Sequence, residues 1–369
     1  MRIAPERSGV KGLNSSRFSK SSRAAIAQKD HTTRNADHTF MTSPSTPKHS
    51  VEIPVTLADI RTAHARIAPH IHRTPVLTSA SLDEIAGAQL FFKCENLQKT
   101  GSFKIRGATN AVFLLTDEQA KNGVAAPSSG NHAAALSQAA RWRGIPAYIV
   151  MPSNSSPVKK DAVRSYGGQI TECEPNIAAR EAASAEVIRR TDAHLVHPYN
   201  DPRVIAGQGT AAIELLEEVP NLDIIMTPAS GGGLLSGTAI AAKGLRPDIR
   251  VIGGEPLNAD DAYRSLQSGK IEEAAITETM ADGLRATLCP LTFSILRKHV
   301  DEISRVSEEE IVNTMLLLWE RMKIVVEPSG AVAAAPALWR KIAAPGKKIG
   351  IVLSGGNLDL RNLPFSSKA

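Results

Sequence analysis

Four segments of the chain combine glycine, serine or asparagine with a position beside a predicted strand. Residues of these types leave backbone amides and hydroxyls open at helix entrances, where they can bind anions. In an open parallel sheet, ligands bind beyond the carboxyl ends of the strands, so such segments can converge on one site. The segments are 93–108, 128–132, 227–237 and 353–357.

The clearest anion site is the glycine run 231–233, which Ser230 precedes and Leu234 follows. Glycines after a strand expose backbone N–H groups, and the helix that follows adds the positive end of its dipole. The segment has neither the Gly-Lys-Ser/Thr of a nucleotide P-loop nor a Gly-x-Gly-x-x-Gly pattern. We therefore predict a site for a phosphate that does not belong to a nucleotide. A flexible turn is the alternative.

Lys104 is the candidate nucleophile. A lysine that condenses with an aldehyde needs an accessible neutral form. Phe103 and Ile105 flank Lys104 and favour desolvation of its amine, and Arg106 is expected to disfavour the ammonium further. On residue types alone, a lysine on a helix surface is the commoner alternative.

The segment 128–132 begins an alanine-rich helix, where hydroxyls and amides can bind a carboxylate. An ordinary helix cap is the alternative, and a structural role stays open for His132. Ser354 follows the last predicted strand, where a C-terminal turn is the alternative to a site.

The composition excludes several classes of protein. With 369 residues, of which 42% are hydrophobic, the chain can form two domains with a substantial core. The net charge of +6 lies wholly in residues 1–50, so we expect no nucleic-acid partner. Three scattered cysteines form neither a disulfide framework nor a metal cluster. No apolar run reaches the roughly 18 residues of a membrane span, so we expect no membrane partner and a cytoplasmic protein.

Residues 1–50 are rich in Ser, Thr, Arg and Lys and have no hydrophobic period, which predicts a disordered N-terminal extension. An organellar transit segment and a true start at Met41 are the alternatives.

From residue 51 onward, short apolar strands alternate with helices, which predicts an α/β fold with parallel sheets covered on both faces. We expect a large domain from 51–122 and 201–369, and a small mobile substrate domain, 123–200, inserted in it. The predicted strands are 90–92, 147–151, 224–226, 251–254 and 349–353, and the predicted helices are 103–115, 133–142, 158–166, 178–190, 234–243 and 308–322.

Taken together, the four segments resemble the fold type II pyridoxal-phosphate enzymes, specifically the serine/threonine dehydratase and serine racemase group, over most of residues 51–365. The resemblance implies two three-layer domains of the tryptophan-synthase-β-like type, with pyridoxal 5'-phosphate in the cleft. It implies a Schiff-base lysine at Lys104, its ring neighbour at Phe103 and a residue beside the cofactor 3-hydroxyl at Asn131. The remaining cofactor-binding residues that it implies are the phosphate cup, Ser230, Gly231, Gly232, Gly233 and Leu234, and the hydroxyl facing the pyridine nitrogen, Ser354.

The resemblance also implies the reaction. Lys104 takes the α-proton as general base, the hydroxyl leaves, and a 2-oxo acid and ammonium result. Ser129 matches a serine that exchanges a proton on the opposite face of the cofactor in racemases of this group; carboxylate binding alone is the alternative. Arg180 matches an arginine near the substrate or its gate. The substrate-binding residues implied are Ser128, Ser129, Asn131, His132 and Arg180.

A divalent-metal site and a homodimer follow from the same resemblance. Glu255, the Ala259 carbonyl and Asp261 match a segment that binds Mg²⁺ or Ca²⁺, and two carboxylates with a carbonyl suit a hard cation.

The first prediction for function is a threonine/serine ammonia-lyase. The alternatives are a serine racemase or a 3-hydroxyaspartate dehydratase, and, from another class, a catalytically silent amino-acid-binding protein. Pro127 and Tyr199 depart from the residues that relatives often carry, so the substrate stays open.

Overall fold

The computed structural model describes residues 54–273 and 278–363, and the predicted extension 1–50 lies outside them. The helices are α1 (Leu57–Ile67), α2 (Ala80–Ala86), α3 (Lys104–Leu114), α4 (Asp117–Ala120), α5 (Asn131–Arg143), α6 (Pro157–Ser165), α7 (Ile177–Thr191), α8 (Pro202–Glu218), α9 (Gly233–Leu245), α10 (Asp261–Ser268), α11 (Pro290–His299), α12 (Glu308–Met322), α13 (Pro328–Ala331) and α14 (Ala335–Leu338). The strands are β1 (Val76–Leu77), β2 (Gln89–Cys94), β3 (Val124–Pro127), β4 (Ala147–Pro152), β5 (Gly168–Cys173), β6 (His194–Leu195), β7 (Ile224–Pro228), β8 (Arg250–Pro256), β9 (Glu302–Val306) and β10 (Lys348–Leu353). Short 3₁₀ turns occupy Glu95–Leu97, Lys99–Gly101, Leu257–Ala259 and Asp282–Leu284.

The larger sheet has the strand order β1-β2-β10-β7-β8-β9, and only the β1–β2 pair is antiparallel. Because side chains alternate along a strand, neighbouring residues of β7 enter different cores. Ile225 packs with α1, α8 and α9, whereas Ile224 and Met226 pack with α2, α12 and α14. Helices therefore cover both faces of this sheet, as the apolar strands predict.

The smaller sheet has the order β5-β4-β3-β6 and is wholly parallel. Val124 and Ala126 of β3 face a core that includes α5, α6 and part of α3. The two parallel sheets confirm the predicted α/β class. All four strands lie between residues 123 and 200, and the domain boundaries themselves stay a prediction.

Two glycines of α8 allow this helix to cross its neighbours at close range. A Cβ at Gly207 would lie 2.6 Å from the Arg106 carbonyl oxygen in α3, and one at Gly209 would lie 2.7 Å from the Gly237 carbonyl oxygen in α9. Only glycine allows these backbones to approach so closely. This contact places the first turn of α3 against α8.

The segments that carry the predicted chemistry follow the carboxyl ends of parallel strands. Segment 128–132 follows β3, the glycine run follows β7, and Ser354 follows β10. The Phe103 amide donates to the Ser354 carbonyl oxygen at 3.0 Å, which ties the start of α3 to the end of β10. No helix in the described part of the chain is long and apolar enough to cross a membrane.

Candidate active site

One cavity of about 630 Å³ opens at these strand ends. All the residues predicted to bind cofactor or substrate line it: Phe103, Lys104, Ser128, Ser129, Asn131, His132, Arg180, Ser230, Gly231, Gly232, Gly233, Leu234 and Ser354. The structure thus brings together four segments that are far apart in sequence. Their individual roles stay predictions.

Lys104 is the first residue of α3, and its side chain opens onto the cavity. Its Nζ donates to the Pro198 carbonyl oxygen at 3.2 Å and lies 5.0 Å from the centre of the Phe103 ring. Burial lowers the pKa of the Lys104 amine to about 8. A neutral amine is therefore accessible near physiological pH, as a lysine that binds an aldehyde requires.

The prediction that Arg106 would help to depress this pKa is wrong. The Arg106 side chain is fully buried and points into ion pairs with Glu95 and Glu214 rather than into the cavity. Burial is the cause of the lowered pKa of Lys104. The charge of Arg106 is already balanced by two carboxylates, which sequence proximity does not reveal.

The glycine run forms a cradle whose shape excludes side chains. Gly232 has a φ of +84°, and a Cβ at Gly231 would lie 2.5 Å from the Tyr199 ring. The first amides of α9, which starts at Gly233, have no partner within the helix. These open amides and the positive helix end fit a phosphate. Tyr199, which the sequence marks as a departure, packs behind the cradle.

Two serines border the cradle and the strand end. The Ser230 hydroxyl accepts from the Ala286 amide at 3.2 Å, which links the cradle to the loop before α11. Ser354 is 3% exposed, and its hydroxyl lies 3.4 Å from the Ser329 carbonyl oxygen. The Ser354 hydroxyl thus lies at the cavity wall against a neutral carbonyl group.

Asn131 is held by two neighbours at the start of α5. Its Nδ2 donates to Glu327 Oε1 at 2.7 Å, and its Oδ1 accepts from Asn357 Nδ2 at 2.9 Å. These contacts orient the side-chain amide. Ser128 and Ser129 precede it in the cavity wall, and Ser129 is exposed there.

Glu327 is a site residue that the sequence does not reveal. It is 2% exposed, lines the cavity and contacts Asn131. Burial, and then the charge of Asp282, raise the pKa of this carboxyl to about 7. The sequence signal, a Glu before the Pro at the start of α13, resembles an ordinary helix entrance.

His132 is a neutral, buried side chain. Its Nε2 donates to the Val196 carbonyl oxygen at 2.9 Å, so Nδ1 carries a lone pair, and Nδ1 has no hydrogen-bond partner among the described residues. Burial, and then the charge of Lys104, lower the pKa of His132 to about 3. His197 also lines the cavity, and burial lowers its pKa as well.

Two further cations line the cavity besides Lys104. Lys159 of α6 forms an ion pair with Asp282 of the 3₁₀ turn. Arg180 of α7 has no ion-pair partner among residues 54–273 and 278–363. An unpaired guanidinium in a cleft can bind a carboxylate.

The predicted metal residues lie outside this cavity. Glu255 and Asp261 are fully buried; Glu255 accepts from the amides of Ala262 and Tyr263, whereas both Asp261 oxygens have no hydrogen-bond partner in the described part of the chain. Burial raises the pKa of both carboxyls, that of Asp261 to about 6.

The carboxylates of Glu255 and Asp261 fit a hard cation only if a backbone carbonyl provides a further ligand. The neighbouring Asp260 is occupied by Arg264 and Arg305 at 2.8 Å each. No group of three His, Cys, Asp or Glu side chains suited to a metal occurs among the described residues. The predicted Ala259 carbonyl would have to complete the set, and the metal stays a proposal.

The chain resembles characterised proteins over most of its length. The family model described as "Pyridoxal-phosphate dependent enzyme" matches residues 67–355. A beta-hydroxyaspartate dehydratase from Paracoccus denitrificans is 53% identical over 84% of this chain and 99% of its own. The structure of maize serine racemase matches with a TM-score of 0.82 at 49% identity, covering 83% of this chain and 95% of that one. The structure of a T.th. threonine deaminase matches with a TM-score of 0.78 at 42% identity, covering 83% of this chain and 99% of that one.

The chain therefore belongs to the family of pyridoxal-phosphate-dependent enzymes. Within that family it has the fold type II, tryptophan-synthase-β-like architecture and belongs to the serine/threonine dehydratase and serine racemase group. The predicted family and fold class are confirmed, and the family match supports pyridoxal phosphate as the cofactor.

Proposed function

We propose that this protein is a dehydratase of 3-hydroxy amino acids and that 3-hydroxyaspartate is its preferred substrate. The observation that carries the proposal is a cavity that combines the buried Lys104 amine and the glycine cradle with an unpaired Arg180. The threonine/serine ammonia-lyase that the sequence favours is less well supported. The dehydratase and the racemase are 53% and 49% identical to this chain, against 42% for the threonine deaminase.

The residues present fit pyridoxal phosphate. Lys104 would hold the cofactor aldehyde, the amides of 231–234 its phosphate, Asn131 its 3-oxygen and Ser354 its ring nitrogen. When bound, the cofactor supplies an electron-withdrawing ring that acidifies the α-hydrogen of an attached amino acid.

The Lys104 amine, once the substrate amine has displaced it from the cofactor aldehyde, is the proposed general base. With a pKa of about 8, about a tenth of it is neutral at pH 7, and that fraction can take a proton. Loss of the α-proton and the β-hydroxyl removes one water. Hydrolysis then releases ammonium and leaves a 2-oxo acid, so the carboxylates of the substrate are untouched.

The start of α5 is the proposed site for the α-carboxylate. The first amides of a helix have no intrahelical partner and carry the positive end of the dipole. Asn131 and His132 are the first two residues of α5, and Ser128 and Ser129 precede them in the cavity wall. A neutral His132 adds no charge there, so binding rests on amides and hydroxyls.

The side-chain carboxylate of 3-hydroxyaspartate is the group that favours this substrate over L-serine and L-threonine. Lys159 is already paired with Asp282, whereas Arg180 has no carboxylate partner in the described ranges. A planar guanidinium binds a carboxylate through two parallel hydrogen bonds. L-Serine and L-threonine would leave Arg180 unpaired.

Serine racemase is the second candidate, and Ser129 favours it. Its side chain is exposed in the same cavity as Lys104, and racemisation needs a proton donor or acceptor on each face of the α-carbon. Ser129→Ala is expected to abolish racemisation and to leave elimination of the L-isomer. Loss of both reactions would assign Ser129 to carboxylate binding.

A divalent cation, Mg²⁺ or Ca²⁺, is proposed at Glu255, Asp261 and the Ala259 carbonyl. Two fully buried carboxyls, one of them without any hydrogen-bond partner among the described residues, support it. A homodimer and a cytoplasmic location also stay proposals. A non-catalytic binding protein has no support from the family match.

The test is a steady-state comparison of 3-hydroxyaspartate, L-serine, D-serine and L-threonine, with 2-oxo acid and enantiomer analysis. We expect the highest kcat/KM for 3-hydroxyaspartate. Arg180→Ala should lower that value by about 100-fold and change kcat/KM for L-serine by less than about threefold, because a charge-assisted pair contributes about 1.5–3 kcal/mol. Arg190→Ala, an exposed arginine of the same helix, is the matched control. Equal losses on both substrates would contradict the proposal.

A further inference from the structure

Four charged side chains form a closed cluster next to the first turn of α3. Lys93 of β2, Glu95, Arg106 of α3 and Glu214 of α8 are each at most 1% exposed. They line no part of the cavity, and the proposed chemistry does not use them. The cluster joins the elements that surround the start of α3.

Every polar group of this cluster is paired. Arg106 donates to both oxygens of Glu95 at 2.7 Å and to both oxygens of Glu214 at 2.8 Å. Lys93 Nζ donates to Glu214 and to the Thr74 carbonyl oxygen, each at 2.6 Å. The Thr74 hydroxyl donates to Glu95 at 2.5 Å. At the rim, His64 Nε2 lies 3.5 Å from Glu214.

The cluster balances two positive charges with two negative ones. Burying four charges costs more free energy than filling the same space with apolar side chains, and removing one partner leaves an uncompensated buried charge. Stability therefore does not explain why these four charges are buried. Their position next to the first turn of α3 indicates another role.

That position relates the cluster to Lys104. Arg106 is two residues from Lys104, in the same first turn of α3. Near the Lys104 amine lie the Pro198 carbonyl, His132 of α5 and His197, and burial lowers the pKa of both histidines. The other charged side chains that line the same cavity are Lys159, Arg180, Glu181, Asp282 and Glu327. A full charge on Arg106, two residues from this amine, would act on it if no carboxylates balanced that charge.

We propose that Glu95 and Glu214 are positioning residues for Lys104: they hold Arg106 in a neutral cluster that fixes the first turn of α3 and shields the amine from the guanidinium charge. The proposal rests on the role of Lys104 in the proposed function. It extends the active site to residues that touch neither cofactor nor substrate.

The test measures the pKa of Lys104 in the cofactor-free full-length chain by competitive labelling with acetic anhydride and mass spectrometry of the Lys104 peptide. Glu95→Gln leaves the cluster with one excess positive charge and should lower the pKa of Lys104 by about one. Lys93→Met leaves one excess negative charge and should raise it. The double variant Glu95→Gln/Lys93→Met restores the balance and should return the pKa to the wild-type value.

Loosened packing would shift the pKa of Lys104 in the same direction in Glu95→Gln and in Lys93→Met. It therefore cannot explain opposite shifts in these two variants together with a wild-type pKa in the double variant. Glu214→Gln removes the same charge from the other side of Arg106 and must lower the pKa of Lys104 if Glu95→Gln fails to fold. Glu217→Gln is the matched control and should leave the pKa of Lys104 unchanged. Glu217 lies on the same helix as Glu214, but it is about half exposed and pairs with Arg73. If Lys93→Met shifts the pKa of Lys104 in the same direction as Glu95→Gln or Glu214→Gln, or if none of these variants shifts it, the proposal is overturned. Failure of the proposed function would appear separately, as absence of cofactor on Lys104 in the wild type.

Discussion

At the scale of single residues, the site depends on groups whose protonation is set by burial. Lys104, His132 and Glu327 all have shifted pKa values, and desolvation is the largest cause in each case. Burial favours the neutral form of acids and bases alike. The cavity therefore presents an amine with an accessible neutral form, a neutral imidazole and a carboxyl that titrates near neutrality.

Glu327→Gln is expected to flatten the pH dependence of stability. Since the pKa of Glu327 is raised to about 7, its contribution is fully present below its ordinary pKa of 4.5 and is lost as pH rises through 7. The wild type should lose roughly 2–3 kcal/mol of unfolding free energy from this group between about pH 5 and pH 8. Urea unfolding of the wild type and of Glu327→Gln, each at pH 5 and at pH 8, measures this loss of unfolding free energy.

Glu320→Gln, an exposed glutamate of α12, serves as the control and should keep the wild-type dependence. An unchanged pH dependence in Glu327→Gln would show that Glu327 is ionised throughout this range in the folded protein.

Residue types predicted the cavity lining well but predicted partners poorly. Lys104, Asn131 and the glycine run could be chosen because their chemistry and local spacing suffice. Glu327 and Glu214 could not, since each lies far along the chain from the residue that it contacts: 196 residues separate Asn131 from Glu327, and 108 separate Arg106 from Glu214. Burial and pairing of charges are tertiary properties.

At the scale of elements, the glycine cradle depends on the contact between Gly231 and Tyr199. Gly231→Ala would place a methyl group 2.5 Å from the Tyr199 ring, so the cradle or the ring must move. We expect at least a tenfold weaker affinity for pyridoxal phosphate, because displaced amides lose their hydrogen bonds to the phosphate. Absorbance titration of cofactor-free protein measures the Kd.

The double variant Gly231→Ala/Tyr199→Ala relieves the clash and should recover part of the affinity. If the double variant bound pyridoxal phosphate more weakly than Gly231→Ala alone, the clash would not be the cause of the lost affinity.

The elements themselves were largely predictable. The predicted helix 308–322 has the bounds of α12, and a Ser307–Glu310 capping box starts it. The longest helix described, α8, was not predicted, because Gly207 and Gly209 lower helix propensity. Those glycines are required by the close crossings with α3 and α9, and such crossings are invisible to local pattern.

At the scale of the whole molecule, two parallel sheets place their carboxyl strand ends around one cavity. The ion pair between Lys159 and Asp282 joins a helix of the proposed small domain to a turn of the proposed large domain. The strand pattern predicted parallel pairing, but of the smaller sheet only β4 was among the predicted strands, and the two-domain arrangement followed from the family resemblance. Relative motion of the two parts stays a prediction, since it depends on interface energetics.

Addition of Mg²⁺ or Ca²⁺ at saturation is expected to raise Tm by about 3–6 °C, because a ligand that binds only the folded state stabilises it. Chelation with EDTA should reverse the shift. Asp261→Asn should abolish it, since that variant removes a carboxylate without hydrogen-bond partners among the described residues. Asp260→Asn, whose carboxylate pairs with Arg264 and Arg305, should retain it. A cation-dependent shift that persists in Asp261→Asn would place the metal elsewhere.

The most direct test is borohydride reduction of the purified protein with pyridoxal phosphate, followed by peptide mapping. The reduced cofactor should be found on the peptide that contains Lys104 and be lost in Lys104→Ala. Lys99→Ala, whose amine bonds to the His70 carbonyl oxygen, should be labelled as the wild type is. Label on any other amine, or no label at all, would contradict the account.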